Sequence, residues 1–328
     1  MKSDVNEYKK VFVLMPYNSD LEVRLKTVAP NYEFIFRDRK TLTNEEADSA
    51  HIIMGNPRYH QIRGSRNLEW FQLTNAGTDE YTKDGSFPEH VKFTNMTGAF
   101  GRAISEHMLA MTLSAYKKLH IYRDNQRNSL WKDMGKERTV FGQTVLIIGV
   151  GDIGSEFAKL MKKFDAYNIG IRRVERVVPE FIDEMYQLSE LDQLLPRADI
   201  VAICTPSTNA TKHMIQKEQF GRMKEGSLLI NVGRGDAVDT EALVEALESG
   251  SIMGAAIDVV YPEPLPEDHP LWKQENLIIT PHISGLGYFH LEETYDKIVE
   301  VCLENLERYQ ESRKLLNEID LKTGYRKL

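Results

Sequence analysis

Hydrophobic positions along the chain fall into short β-branched or apolar runs separated by longer stretches of helical spacing. Val11–Met15, Glu33–Phe36, His51–Met54 and Glu69–Leu73 predict strands in the first hundred residues, with helical or turn segments between them. From Gly101 to His120 the apolar positions Ile104, Met108, Leu109, Met111 and Leu113 predict one long helix, with His107 a surface or packing residue on it. Tyr122–Arg138 is highly charged and has few apolar anchors, the pattern of a connection between domains. Beyond it the rhythm sharpens. Strands are expected at Thr144–Ile148, Tyr167–Ile171, Asp199–Cys204, Ser227–Asn231, Gly254–Asp258 and Asn276–Thr280. Helices separate most of these, starting with Ile153–Phe164, and a last amphipathic helix runs from Leu291 to Gln310. Continuous apolar strands alternating with helices predict a parallel sheet covered on both faces, hence an α/β fold. Residues 101–290 read as a doubly wound domain, and residues 1–100 as a second domain completed by segment 291–328.

Length agrees with two domains, because 328 residues exceed what one hydrophobic core usually serves. The 41 basic against 49 acidic side chains give a net charge of −8, which argues against nucleic acid or an anionic membrane as partner. Two cysteines, Cys204 and Cys302, make no disulfide framework and fit a reducing compartment. The polar N-terminus leads into an apolar run, Val11–Met15, too short for a secretory leader, and no stretch approaches the length of a membrane span. The expectation is a cytoplasmic protein without a metal site.

Candidate chemistry begins at Gly149-Val150-Gly151-Asp152-Ile153-Gly154, a G-x-G-x-x-G run between a predicted strand and a predicted helix. Gly149 permits the tight turn, Gly151 lets a pyrophosphate approach the backbone, and Gly154 lets helix and strand pack closely. The N–H groups at the helix start, from Asp152 and Ile153 onward, suit an anion. An NAD site usually ends the next strand with an acid that binds the ribose hydroxyls. Here that strand ends in Arg172-Arg173, two guanidiniums suited to a 2′-phosphate. The reading is NADP as preferred cofactor with NAD possible; a solvated basic loop that also holds Arg176 is the alternative.

Three further segments follow predicted parallel strands, the place where open α/β sheets bind ligands. They are 231–236 with Arg234, 258–266 with Asp258 and Glu263, and 280–285 with His282, Ser284 and Gly285. An Arg, a Glu and a His suit carbonyl reduction of an acid: Arg holds the carboxylate and polarises the carbonyl, His gives the proton, and Glu orients His and favours its charged form. Glu263 as a rigid loop acid and Arg234 as a structural ion-pair partner are the plainer readings.

With the glycine turn, these segments resemble the D-isomer-specific 2-hydroxyacid dehydrogenase family over about Phe71 to Leu316. The resemblance implies that Arg234, Glu263 and His282 are catalytic, and that Arg234 and His282 also bind substrate. Asp258 would lie at the nicotinamide end, and Thr205 and Pro206 beside the adenosine. Val232, Ser284 and Gly285 would line the cofactor, while Ala76 and Gly77, in Asn75–Asp79, would hold the substrate carboxylate. Met54–Pro57 resembles the neighbouring substrate loop more loosely. The implied architecture is two Rossmann-like domains, a dinucleotide-binding domain and a flavodoxin-like substrate domain with a cleft between them, forming a homodimer through the dinucleotide-binding domain. Glu263 departs from the Gln of formate dehydrogenases. A regulatory domain of the phosphoglycerate dehydrogenase type is not expected, and Arg172 stands where D-lactate dehydrogenases usually keep an acid. NADPH-linked glyoxylate and hydroxypyruvate reductases resemble the chain better. Met54, Phe100 and Tyr288 are candidate specificity residues. A dinucleotide-sensing corepressor and a family enzyme for a larger or phosphorylated acid are the competing readings.

Overall fold

The computed structural model describes residues 8–82, 85, 87–173, 177–285 and 291–327. The chain divides into two compact units, one built from residues 1–100 and 286–328, the other from 101–285. Tyr288 and Arg176 lie outside the described residues.

The first unit alternates β1 (Lys9–Val13), α1 (Ser19–Val28), β2 (Tyr32–Phe36), α2 (Asn44–Ser49), β3 (Ile52–Gly55), α3 (Tyr59–Ile62), β4 (Trp70–Leu73), α4 (Asp79–Thr82) and β5 (Lys92–Thr94). All pairings are parallel, in the order β2-β1-β3-β4-β5, the flavodoxin-like arrangement. One side of this sheet is lined by aromatic rings: Phe71 stacks on Phe93 at 5.0 Å between centroids, Tyr81 meets Phe71 edge-on at 4.9 Å, and Phe87 stacks on Phe93. Each fully buried ring of this kind stabilises the fold by roughly 1.5–3 kcal/mol. The C-terminal helix, Glu292–Gln310, belongs to the same unit. Tyr309 stacks on Trp70, and the buried Asn305 amide donates to Gln72 Oε1 at 2.7 Å, so residues more than two hundred positions apart close one core.

The second unit begins with α5 (Gly101–Tyr116) and α6 (Leu119–Arg127). It continues through β6 (Thr144–Ile148), α7 (Asp152–Lys162), β7 (Tyr167–Ile171), β8 (Glu184–Tyr186), α8 (Leu191–Leu194), β9 (Ile200–Ile203), α9 (Lys217–Arg222), β10 (Leu228–Asn231), α10 (Thr240–Ser249), β11 (Gly254–Ile257) and β12 (Leu277–Ile279). The seven strands are parallel in the order β12-β11-β10-β9-β6-β7-β8. The chain leaves β6 toward β7 on one side and returns to β9 on the other, which makes the β6/β9 boundary the topological switch point. Three of these strands, β9, β10 and β11, are buried at every position, which explains their nearly unbroken apolar sequence. α7 buries Phe157, Ala158 and Met161 at helical spacing. Among the described residues no helix is long and apolar enough to cross a membrane.

Two expectations are corrected. The long helix expected over Gly101–His120 breaks at Lys118, which takes a left-handed backbone (φ +53°), so a second helix starts at Leu119. Part of the charged stretch Tyr122–Arg138 is therefore helical, and all of it lies inside the second unit instead of connecting the two.

Candidate active site

In the second unit the strands present their C-terminal ends along one edge of the sheet, and every singled-out residue of 149–285 follows one of them. The glycine turn follows β6, Arg172 and Arg173 follow β7, and Thr205 and Pro206 follow β9. Val232 and Arg234 follow β10, Asp258 and Glu263 follow β11, and His282, Ser284 and Gly285 follow β12.

The glycines do different work. Gly149, at φ +103°, accepts from Gly151 N at 2.8 Å and closes the turn. A Cβ on Gly154 would sit 2.3 Å from the Gly149 carbonyl, so close helix–strand packing requires glycine there. A Cβ on Gly151 would meet nothing within 4 Å, so packing within the protein does not explain that glycine. The space beside it, together with N–H groups of the first turn of α7 that have no carbonyl a turn earlier, fits a pyrophosphate. Thr205 adds a buried hydroxyl with no hydrogen-bond partner among the described residues. Arg172 is fixed against the turn, its Nε donating to the Val150 carbonyl at 2.8 Å. These features fit a dinucleotide. Cys204, in the same segment as Thr205, is a free thiol whose pKa burial pushes up to about 12, so it is inert as a nucleophile.

The three catalytic candidates stand on adjacent strand ends. Asn231, 1% exposed, spans its own turn: its amide donates to the Arg234 carbonyl at 3.0 Å and its oxygen accepts from Gly233 N at 3.1 Å. Arg234 Nη1 donates to the Gly233 carbonyl at 2.8 Å. A Cβ on Gly235 would fall 2.0 Å from the Val260 carbonyl, so the Arg234 turn and the Glu263 loop are packed backbone to backbone. Glu263 accepts from Val260 N at 3.1 Å through Oε1, and its Oε2 lies 2.9 Å from His282 Nδ1. His282 keeps half of its side chain exposed. The pair is brought together as expected from the sequence.

His282 takes a left-handed backbone (φ +55°), a conformation that costs a side-chain-bearing residue about 1–3 kcal/mol. Asp258 holds it there. The His282 N–H donates to the Asp258 carbonyl at 2.8 Å. The Asp258 carboxylate, 1% exposed, accepts from Thr280 Oγ1 (2.6 Å) and Ile283 N (2.9 Å) on one oxygen, and from Ser284 N (3.0 Å) and Ser284 Oγ on the other. Four donors fill the two oxygens, so Asp258 and Ser284 are joined to each other. Asp258, expected from the sequence at the nicotinamide end, holds the 280–284 loop.

In the first unit, Ala76 and Gly77 follow β4. The turn is fixed by Asn95, whose amide donates to the Ala76 carbonyl at 2.6 Å, and by Met96 N, which donates to the Asn75 carbonyl at 3.0 Å. No acceptor among the described residues takes the Ala76 or Gly77 N–H. Met54 and Phe100 are corrected as specificity candidates, because both side chains are buried in the core of this unit. Among the described residues no group of three His, Cys, Asp or Glu side chains is placed to hold a metal ion. Asn231, Thr280 and Asn95 escaped the sequence reading; the first two stand inside the motifs, three residues before Arg234 and two before His282, and Asn95 has no local signal.

Residues 109–284 match the family model of the D-isomer specific 2-hydroxyacid dehydrogenase NAD binding domain. The fold matches a D-isomer specific 2-hydroxyacid dehydrogenase family protein of Aeromonas salmonicida with a TM-score of 0.84 at 33% identity, covering 95% of this chain and 99% of that one. A glyoxylate reductase of Thermofilum pendens is 34% identical over 252 residues, 73% of this chain and 71% of that protein. A D-isomer specific 2-hydroxyacid dehydrogenase of Xanthobacter autotrophicus Py2, solved with NADPH and MES, shares the fold (TM-score 0.80, 97% and 99% coverage) at 24% identity. With the glycine turn at a topological switch point and the Arg, Glu and His turns on neighbouring strands, the chain belongs to the D-isomer-specific 2-hydroxyacid dehydrogenases, NAD(P)-dependent oxidoreductases.

Proposed function

We propose that this enzyme reduces a small 2-oxo acid of the glyoxylate or hydroxypyruvate type to the D-2-hydroxy acid, with NADPH preferred and NADH possible. The observation that carries the reading is the 2.9 Å contact between His282 Nδ1 and Glu263 Oε2. It turns the ring so that Nε2 is the nitrogen left to give a proton. Bound at the glycine turn, the nicotinamide cofactor supplies the hydride. His282 protonates the oxygen on which charge develops. Arg234 holds the substrate carboxylate and polarises its carbonyl, a role that needs a permanent cation of fixed direction. Ala76 and Gly77, whose N–H groups have no acceptor among the described residues, take part in carboxylate binding; Thr205, Pro206, Val232 and Gly285 line the cofactor, and Asp258 and Ser284 act through the loop they hold. Arg172 and Arg173 bind the 2′-phosphate, a role supported by the anchoring of Arg172 on the turn.

The substrate size is supported by the glyoxylate reductase relative. Two free cysteines, with Cys302 buried, suit the reducing cytoplasm we propose as its place. We further propose a homodimer through the second unit. Across residues 119–139 no side chain is buried, although the segment contains α6, Leu119, Leu130 and a fully exposed Trp131. These three exposed apolar side chains would gain by being covered.

The test is NADPH oxidation over glyoxylate, hydroxypyruvate and longer 2-oxo acids, with NADH as control. We expect the two short acids to be reduced, and His282→Ala to lose at least about 10²-fold in kcat. Near-normal turnover of that variant would remove His282 from the mechanism, and a kcat/KM for NADH equal to that for NADPH would remove the 2′-phosphate role.

A further inference from the structure

His107 lies on α5, outside every motif that carries the chemistry. Its ring Nε2 stands 3.1 Å from Thr280 Oγ1, and Thr280 Oγ1 stands 2.6 Å from Asp258 Oδ1. The proton count along this line is determined. A carboxylate accepts only, and a threonine hydroxyl has one proton, so the short bond takes that proton toward Asp258. Thr280 Oγ1 is then an acceptor toward His107, and the 3.1 Å contact is an Nε2–H donation. His107 therefore keeps its proton on Nε2 and holds the Thr280 oxygen as a second partner beside Asp258.

We infer that His107 is a positioning residue for the reaction: through Thr280 and Asp258 it holds the 280–284 loop in the conformation that presents His282 to Glu263. The inference rests on the reading of His282 as the acid. Its reach follows from what Asp258 holds. The same carboxylate takes Ile283 N and Ser284 N, on the residues immediately after His282, and the Asp258 carbonyl takes His282 N. His282 keeps a left-handed backbone only while these bonds over-determine it. With the His107 donor gone, the Thr280 oxygen loses one of its two anchors, and one of the four donors on Asp258 is held less firmly. The loop then samples other backbone states and the His282 ring drifts from Glu263. Misplacement of a catalytic group by about 1 Å costs up to about 10²-fold in rate. Arg234 after β10 and the glycine turn after β6, which carry most of the proposed binding of carboxylate and cofactor, lie outside this loop.

The test uses five variants of the full chain, assayed by NADPH oxidation with glyoxylate beside His282→Ala. His107→Phe keeps the ring and removes the donor. It is expected to lower kcat about ten- to a hundredfold, with the KM values for glyoxylate and NADPH within about twofold of the parent. His107→Gln places an amide N–H where Nε2–H stands and is expected to recover most of kcat, whereas His107→Asn is too short and is not. Thr280→Val is expected to match His107→Phe, and the double variant to be no worse than the slower single one, because both break one line of bonds. Full kcat in His107→Phe, equal kcat in the Gln and Asn variants, or losses that multiply in the double variant would each overturn the positioning role while leaving His282 as the acid. An active His282→Ala would overturn the acid itself and the inference with it.

Discussion

Replacing Asp258 by Asn is the most demanding trial of this site, because it changes one atom of a buried group with four donors on it. Asn keeps an oxygen that can accept from Thr280 Oγ1 and Ile283 N, now 2.6 and 2.9 Å from Oδ1. Its amide nitrogen must then stand where Oδ2 accepts from Ser284 N and Ser284 Oγ. The serine hydroxyl can turn and accept from the new NH2. The Ser284 N–H cannot, and a buried donor left without a partner costs about 1–3 kcal/mol. The remaining bonds lose the charge that made them strong, which adds on the order of 1 kcal/mol. The sum, about 2–4 kcal/mol, corresponds for a unit of this size to a fall in Tm of roughly 4–16 °C. Thermal unfolding of Asp258→Asn against the parent measures it, with Thr280→Val as a comparison that removes one bond and leaves the charge. The loss of kcat should exceed what the unfolded fraction explains, because His282 is released from its left-handed backbone. An unchanged Tm together with unchanged kcat would refute the account of Asp258 as the holder of the loop.

Gly151→Ala and Gly154→Ala should separate binding from folding. The first finds nothing within 4 Å and should leave Tm within about 1 °C while raising the NADPH KM at least tenfold; the second meets the Gly149 carbonyl at 2.3 Å and should cost about 1–3 kcal/mol in thermal unfolding. Arg172→Asp should raise the KM for NADPH far more than that for NADH; equal losses would sink the 2′-phosphate assignment. Glu184 accepts from Arg197, Tyr167 and Tyr186, and these bonds, with the Arg197 ones foremost, pull its carboxyl down to about 2 from 4.5. A depressed folded pKa adds stability that is complete above pH 4.5 and fades as pH falls toward 2; screening at this surface site holds it to about 1 kcal/mol. The Tm gap between the parent and Glu184→Gln should therefore be largest at pH 7 and shrink through that window.

The parts of the fold legible in the sequence are those whose burial is uniform. Thr144–Ile148 and Tyr167–Ile171 appear as expected to the residue, because every position after the first is buried in each. β5 and β8 were not legible. Both are three-residue strands at sheet edges, and β8 has no fully buried side chain, so neither produces an apolar run. The break at Lys118 was hidden for a related reason. No Gly or Pro marks it, and α6 beyond it buries nothing, so no change in burial sets the two helices apart in the sequence.

The site shows where motif reading stops being enough. Glycines, Arg234, Glu263 and His282 are recognisable because each has a chemical task that few residue types can perform. Asp258 also has such a type, and an acid at the end of a parallel strand is equally able to accept from a ligand or from a neighbouring loop. What decides between the two is how many donors the folded chain brings to it. Here the loop after the next strand brings four, two of them backbone N–H groups that any sequence would carry. Backbone donors leave no mark in the side-chain pattern. The same argument applies to His107, which lies 173 positions from its partner on a helix whose apolar spacing accounts for everything around it. A residue that acts by holding another residue has a role defined by the far end of its hydrogen bond, and that end is supplied by the fold.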